Sequence, residues 1–246
     1  MKPDQLSQRR SPSSTPERKK AEAEGPLVII VDDDASIREA LSELILSAGL
    51  QSVSFASTRA LLEADVLDRP GCLILDVRMP GASGLDLQNH LAQHGNPKPI
   101  IFLTGHGDIP MTVQAMRAGA IDFLTKPVRD QTLLDAIAAA VERDIKQRAR
   151  LQVVKEHLSK LALLTPRERQ VLRQVAAGRL NKQIAFDLGI SEITVKLHRG
   201  NVMRKMEVMS IGELIRAWET LPASIRETGA GVTGTGRSTP VAHRTA

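Results

Sequence analysis

The sequence predicts two folded parts, an α/β domain followed by a small all-α domain. From Pro26 onward, short apolar runs alternate with segments of helical periodicity for about 120 residues, as in proteins with strands covered by helices. After residue 150 the remaining periodic segments are all helical. The charge changes near the same place, because residues 27–145 carry a net charge of −7 and residues 146–221 carry +8.

The first part is predicted to contain five strands and five helices in alternation. The strands are predicted over 27–32, 52–57, 72–76, 99–105 and 120–127. The helices are predicted over 35–50, 58–65, 83–95, 108–120 and 129–154. Continuous apolar strands indicate a parallel sheet that is covered on both faces. Five such βα units predict a flavodoxin-like doubly wound (βα)5 domain.

The second part is predicted to be a four-helix domain. Its helices are expected over 164–180, 181–190, 191–206 and 210–221. Thr165, Pro166 and Glu168 have the pattern of a capping box with proline in the first turn. Asn181 and Ser191 are the predicted N-caps of the next two helices.

Composition and charge divide the chain into five predicted segments. They are a disordered tail over 1–26, an α/β domain over 27–145, a helical linker over 146–160, an all-α domain over 161–221 and a second disordered tail over 222–246. The single cysteine, Cys72, excludes a disulfide framework and a multi-cysteine metal site. We expect a cytoplasmic protein without a membrane partner, since no apolar run approaches about 18 residues and no secretory signal is evident.

Polar side chains close four of the predicted strands. Asp32 and Asp33 close the first strand, Asp76 the third, Thr104 the fourth and Lys126 the fifth. The carboxyl ends of parallel strands form one crevice, where doubly wound proteins bind ligands. Three carboxylates there would repel each other, so we expect Mg²⁺ to neutralise them. Such a site suits a phosphoryl group, with the Asp76 carboxylate as the nucleophile on phosphorus.

The segments VDDD, DVRMPGASGLDL and IIFLTGHGDIPMTVQAMRAGAIDFLTKP resemble the receiver domain of bacterial two-component response regulators over about residues 27–145. The resemblance implies that Asp76 is the phosphoacceptor and that Lys126 pairs with the phosphoryl oxygens. It also implies that Thr104 is the switch hydroxyl and Phe123 its aromatic partner. The implied Mg²⁺ ligands are the carboxylates of Asp32, Asp33 and Asp76 and the backbone carbonyl of Arg78.

This domain has three alternative interpretations. A dinucleotide-binding enzyme would need a glycine-rich turn after the first strand, where this chain has three aspartates. A haloacid-dehalogenase-like phosphatase would need an acid two residues after its nucleophile, where this chain has Arg78. A regulator controlled by a ligand or partner, with the receiver as an interaction module, is the remaining alternative, and the complete acidic site favours phosphorylation over it.

The segment NKQIAFDLGISEITVKLHRG (181–200) predicts a helix-turn-helix. Two short helices are joined by a turn at Gly189 and Ile190, and the second helix is predicted to expose Lys196, Arg199 and Lys205. In helix-turn-helix proteins, polar and basic side chains on the second helix bind base edges and phosphates of DNA. A helical hairpin with a solvated basic face is the structural alternative.

The motifs LTPRERQVL and GRLNKQIAFDLGISEITVKLHRGNVMRKM are similar to the DNA-binding domain of the LuxR type over about residues 160–221. The resemblance implies a recognition helix over 192–206, with Lys196 and Leu197 at base-contacting positions. Gly200 stands where some relatives have a base-contacting lysine, which leaves the target sequence open. The predicted phosphate contacts are Lys182, Thr194 and Arg199.

A receiver joined to this DNA-binding domain is the layout of the FixJ–NarL class of response regulators. The resemblance implies a transcriptional regulator whose DNA binding depends on phosphorylation, and not an enzyme. It would phosphorylate itself from phosphohistidine or a small phosphodonor and dephosphorylate slowly. The implied partners are a sensor histidine kinase, double-stranded promoter DNA, a second copy of the phosphorylated chain and RNA polymerase.

Overall fold

A five-stranded parallel sheet forms the centre of the N-terminal part of the chain. The structure is a computed structural model that describes residues 25–105 and 109–227. The strands are β1 (Leu27–Val31), β2 (Gln51–Phe55), β3 (Gly71–Leu75), β4 (Ile100–Thr104) and β5 (Asp122–Thr125). Their order in the sheet is β2-β1-β3-β4-β5, and every neighbouring pair is parallel. This order confirms the flavodoxin-like doubly wound fold.

Five helices accompany the sheet. They are α1 (Ala35–Ser47), α2 (Thr58–Leu62), α3 (Gly84–Gln93), α4 (Ile109–Arg117) and α5 (Asp130–Ala162). The three central strands, β1, β3 and β4, are buried on both faces, which explains why their residues are almost all apolar. In β1, Leu27, Ile29 and Val31 belong to one apolar cluster, whereas Val28 and Ile30 belong to the cluster on the opposite face.

The chain divides after Ala149 into two units, and helix α5 continues from the first into the second. This helix has 33 residues and is longer than the predicted 129–154. The predicted linker over 146–160 is therefore helical throughout. None of the described helices has the length and apolar content needed to span a membrane.

The second unit contains the C-terminal helices around its own apolar core. They are α6 (Pro166–Ala176), α7 (Asn181–Leu188), α8 (Glu192–Met206), α9 (Ile211–Glu219) and α10 (Ala223–Glu227). The predicted capping box of α6 is confirmed, since the Thr165 N–H donates to Glu168 Oε2 at 2.8 Å and the Glu168 N–H donates to Thr165 Oγ1 at 3.3 Å. Ser191 is the N-cap of α8, as predicted.

Two local predictions for this unit differ from the structure. The N-cap of α7 is Leu180, not Asn181, and the Leu180 N–H donates to Gln183 Oε1 at 2.9 Å. The Asn181 side chain instead accepts a hydrogen bond from Arg199. Residues 223–227 fall in the predicted C-terminal tail but form the one-turn helix α10. Residues 228–246 of that tail, and residues 1–24 of the N-terminal tail, lie outside the described residues.

A buried polar network lies at the amino end of the sheet. Asp144 of α5 is fully buried, and its Oδ2 accepts hydrogen bonds from the Gly71 N–H at 2.8 Å and from Arg148 Nε at 2.7 Å. Lys98, with only 4% of its surface exposed, donates from Nζ to the carbonyl of Arg69 at 2.5 Å. The network therefore holds α5 against the first residue of β3.

The burial of Lys98 makes the stability of the protein dependent on pH. Burial lowers the pKa of Lys98 from 10.5 to about 8, although the charge of Asp144 opposes this shift. At pH values between the two pKa values, Lys98 is protonated in the unfolded chain and mostly deprotonated in the folded protein. The free energy of unfolding therefore rises with pH in this range. From pH 7 to pH 9 we expect a gain of about 1 kcal/mol.

Urea denaturation of the wild type and Lys98→Met at both pH values measures this gain. We expect the variant to lose it. An equal gain in both proteins would show that a different group titrates.

Candidate functional site

Three carboxylates meet at the carboxyl edge of the sheet. Asp32 follows β1 and Asp76 follows β3, and these two strands are neighbours in the sheet. Together with Asp33 they place one carboxylate oxygen each within 4.8 Å of the others. Asp32 and Asp76 are buried and Asp33 is exposed. The cluster is therefore anchored in the protein and open to solvent on one side.

Lys126 is the cation that contacts this cluster. Its Nζ donates to Asp32 Oδ2 at 2.5 Å and to Asp76 Oδ2 at 3.1 Å, while its backbone N–H donates to the Thr104 carbonyl at 2.9 Å. Burial alone would lower the pKa of Lys126, but the hydrogen bonds and charges of Asp32 and Asp76 outweigh it and raise this pKa. Lys126 is therefore a permanent positive charge beside two buried carboxylates.

The cluster fits a small divalent cation. Mg²⁺ prefers oxygen ligands at about 2.0–2.1 Å, so ligand oxygens around it lie up to about 4 Å apart. One carboxylate oxygen each of Asp32, Asp33 and Asp76 lies within 4.8 Å of the others, which is close to that value. Lys126 supplies one positive charge against three carboxylates, which leaves negative charge for a cation to balance. The Arg78 N–H donates to Asp76 Oδ1 at 3.2 Å, and ligation by the Arg78 carbonyl stays a prediction.

Two residues that the sequence analysis did not single out support the cluster. Arg38 of α1 donates from Nη1 to the backbone carbonyl of Asp32 at 2.7 Å. Gly84 begins α3, and a Cβ atom there would lie 2.3 Å from the carbonyl oxygen of Asp76. Only glycine therefore allows α3 to approach the backbone of Asp76 this closely. The nearby Asp34 has a separate function, since it is the N-cap of α1.

Thr104 and Phe123 lie on β4 and β5, the two strands that follow β3 in the order of the sheet. Thr104 is the buried last residue of β4, and Phe123 is half-buried in β5. Phe123 is paired in register with Phe102, and the centroids of the two rings are 5.9 Å apart. Thr104 is two residues beyond Phe102, so Thr104 and Phe123 share one face of the sheet. Their function as switch residues stays a prediction.

The outer side of α8 carries most of the predicted DNA contacts. Lys196, Leu197 and Gly200 are exposed on this helix, and Lys182 is exposed on α7. Thr194 is half-buried, and its hydroxyl is hydrogen-bonded to Ser191 Oγ at 2.8 Å. Four of the six predicted DNA-contacting residues are therefore exposed to solvent in the second unit.

Two basic residues of α8 are engaged within the domain. Arg199 is half-buried and donates to Asn181 Oδ1. The prediction that α8 exposes Arg199 and Lys205 is wrong, because both side chains are half-buried. Lys205 Nζ donates to the buried Glu168 at 2.7 Å and to the Leu163 carbonyl at 3.2 Å. Burial would raise the pKa of Glu168, but the hydrogen bonds from Lys205 and Thr165 and the charge of Lys205 together outweigh it and lower this pKa. Lys205 thus stabilises the packing of α8 against α6.

Two protein families match the two parts of the chain. Residues 28–138 match the response regulator receiver domain. Residues 162–218 match the bacterial regulatory proteins of the luxR family.

Individual proteins match both parts together. Nodulation protein W of Bradyrhizobium diazoefficiens is 52% identical over 202 residues, which cover 82% of this chain and 89% of that protein. Response regulator protein TodT of Pseudomonas putida is 50% identical over 199 residues, covering 81% of this chain and 88% of TodT. The solved structure of the response regulator StyR has 46% sequence identity and a TM-score of 0.70, covering 79% of this chain and 98% of that one.

Proposed function

Because the chain belongs to the bacterial two-component response regulators that join a receiver domain to a LuxR-type DNA-binding domain, we propose that phosphorylation of Asp76 controls its binding to promoter DNA. The protein is a transcriptional regulator and not an enzyme that turns over a separate substrate. The observation that carries the proposal is the contact of Lys126 Nζ with both Asp32 and Asp76.

The acidic cluster is the proposed Mg²⁺ site of the receiver. Its ligands are the carboxylates of Asp32, Asp33 and Asp76 and the backbone carbonyl of Arg78. When bound, the ion supplies positive charge that offsets the repulsion between the carboxylates and an incoming phosphoryl group.

Asp76 is the proposed nucleophile. One of its carboxylate oxygens forms a bond to phosphorus while the bond from phosphorus to the histidine nitrogen of a sensor kinase, or to the oxygen of a small phosphodonor, breaks. Lys126 Nζ already lies 3.1 Å from Asp76 Oδ2, so it stays beside the product and pairs with a phosphoryl oxygen. Hydrolysis of the acyl phosphate returns the protein slowly to its starting state.

The proposed switch changes the surface around α4 and β5. Thr104 moves its hydroxyl toward the phosphoryl group, and Phe123 turns into the space beside it. Helix α4 carries an exposed apolar row of Ile109, Val113 and Met116 at spacings of four and three residues. An apolar row of this kind suits a second copy of the chain, so we propose that the phosphorylated protein is a homodimer.

The DNA-binding unit supplies the output. We propose that α8 enters the major groove, where Lys196 and Leu197 contact bases and Gly200 lies close to them. Lys182, Thr194 and Arg199 are the proposed phosphate contacts, and Arg199 would exchange or share its bond with Asn181. Two copies of α8 in the dimer read two half-sites. RNA polymerase is the proposed partner at the promoter, and the cytoplasm, where promoter DNA lies, is the proposed location.

This function implies a division of the chain by task. We propose a receiver over 27–145, a helical linker over 146–160 and a DNA-binding domain over 161–221. The segments over 1–26 and 222–246 are the proposed tails.

A gel that retards phosphorylated proteins tests the proposal directly. The full chain is incubated with acetyl phosphate and Mg²⁺, and we expect a retarded species that chelation of the Mg²⁺ prevents. DNA selected by the treated protein from a random double-stranded pool is then footprinted with and without acetyl phosphate. Protection at lower protein concentration after treatment is the expected result. Equal protection without any retarded species would mean that the receiver is an interaction module controlled by a ligand or partner.

Lys196→Ala tests the DNA interface. We expect this variant to bind the selected DNA more weakly by about 1–3 kcal/mol, because a base contact of that size is lost. The side chain is exposed and forms no hydrogen bond or ion pair within the described residues, so the thermal unfolding midpoint should not change. Lys155→Ala, which removes an exposed lysine from the linker, is the matched control in the same anisotropy titration. Unchanged affinity of Lys196→Ala would remove Lys196 from the interface.

A further inference from the structure

The outer side of α8 has an apolar feature that the packing of the domain does not explain. Ile193 is 79% exposed and Leu197 is 63% exposed. They are four residues apart and therefore adjacent on the same side of the helix. The inward side of α8 is formed by Val195, Val202 and Met206, which are buried. Two large apolar side chains therefore face solvent on a helix whose core contacts are already complete.

Gly200 extends this feature along the helix. It is seven residues after Ile193, so it lies on the same side, and a Cβ atom there would have nothing within 4 Å. Glycine inside a helix is destabilising relative to alanine, and no neighbour in the described domain requires it. The absence of a side chain lets another molecule approach the helix backbone next to Leu197.

Resting on the proposed function, we propose that Ile193 is a specificity-determining residue that, beside Leu197, contacts the C5-methyl group of a thymine in the major groove. This methyl group is the apolar feature that DNA presents in that groove. The exposed Lys196 lies between the two apolar residues in sequence, and the segment from 146 to 221 has a net charge of +8. The positive charge around the two apolar side chains favours a polyanion that carries exposed apolar groups, and it disfavours an apolar protein surface as the partner.

The chemistry sets the expected size of the effect. Burying one methyl group from water is worth about a fourfold change in affinity. Removal of the methyl group from DNA should therefore weaken binding about fourfold for each thymine that the protein contacts. Shortening Ile193 to alanine should remove its part of this sensitivity, because the smaller side chain no longer reaches the methyl group.

The experiment compares two forms of the same DNA. Double-stranded DNA selected by the acetyl phosphate-treated full chain is copied with thymidine triphosphate or with deoxyuridine triphosphate, which lacks the C5-methyl group. The dissociation constants of the wild type, Ile193→Ala and Met209→Ala are measured on both forms by fluorescence anisotropy. Met209 is 89% exposed and lies beyond α8, so Met209→Ala is the control for loss of an exposed apolar side chain.

We expect the wild type and Met209→Ala to prefer the thymine form, and Ile193→Ala to lose about a factor of four of that preference. Full wild-type preference in Ile193→Ala would overturn the proposal, as would a wild type that binds both forms equally. A change in sedimentation of Ile193→Ala with unchanged preference would assign Ile193 to a protein interface and likewise overturn it. Failure of the wild type to bind any selected DNA would instead overturn the proposed function.

Discussion

Asp76→Asn is expected to fold like the wild type and to take up no phosphate from acetyl phosphate. The asparagine amide is much less nucleophilic than the carboxylate, so no acyl phosphate forms. Its side-chain oxygen can still accept the hydrogen bond that the Arg78 N–H donates to Asp76 Oδ1. Loss of one negative charge also relieves repulsion from Asp32 and Asp33, so the fold should tolerate the change.

The retardation gel and circular dichroism together measure this result. Asp65→Asn is the matched control, because Asp65 is an exposed aspartate of the same domain outside the cluster. We expect the control to be phosphorylated like the wild type and Asp76→Asn to show no retarded band with an unchanged spectrum. Phosphate uptake by Asp76→Asn at the wild-type rate would contradict the assignment of the phosphoacceptor.

Asp144→Ala is expected to lower the free energy of unfolding by about 3 kcal/mol at pH 7. The carboxylate is fully buried and accepts hydrogen bonds from Gly71 and Arg148, and its charge also favours the protonated form of the buried Lys98. Removing it leaves a buried N–H and a buried ammonium group without their acceptor and countercharge. Arg148 is partly exposed and can turn to water, which keeps the loss at the lower end of the usual range.

Urea denaturation measures this loss, and a second ion pair of α5 supplies the control. Glu142 pairs with Lys146 on the same helix, but both side chains are exposed. Glu142→Ala should therefore change stability much less than Asp144→Ala. Adding Lys98→Met to Asp144→Ala should recover part of the loss, because the unpaired ammonium group is then absent. A free energy of unfolding for Asp144→Ala that equals the wild-type value would refute a structural function of the network.

The order of strands and helices in the receiver could be predicted because its signals are local. Apolar runs such as 72–76 and turn glycines such as Gly49 mark the elements within a few residues. The extent of α5 was underestimated, since its last turns depend on packing of Leu158 and Leu161 in the second unit. The one-turn helix α10 was missed because five residues provide too little periodicity to detect.

The acidic cluster could be predicted from the positions of its residues at the ends of the strands. The residues that contact the backbone of the cluster could not be predicted in this way. Parallel strands bring their carboxyl ends to one edge, so Asp32, Asp76 and Lys126 had to lie near each other once the sheet formed. Arg38 and Gly84 act on backbone carbonyls of the cluster. Nothing in a sequence pattern indicates which backbone carbonyl a side chain or helix will approach.

The sequence by itself determined the fold class, the two-domain order and the residue types at the end of each strand. These follow from periodicity and charge, which are properties of neighbouring residues. Only the tertiary structure decided that Lys205 pairs with Glu168, that Arg199 contacts Asn181 and that Ile193 faces solvent. The partners in the first two pairs are 37 and 18 residues apart along the chain. The packing of the helices decides which basic side chain is buried and which apolar side chain is exposed. Helical periodicity shows which residues share a side of a helix, but it does not fix how that helix is rotated about its axis in the folded domain.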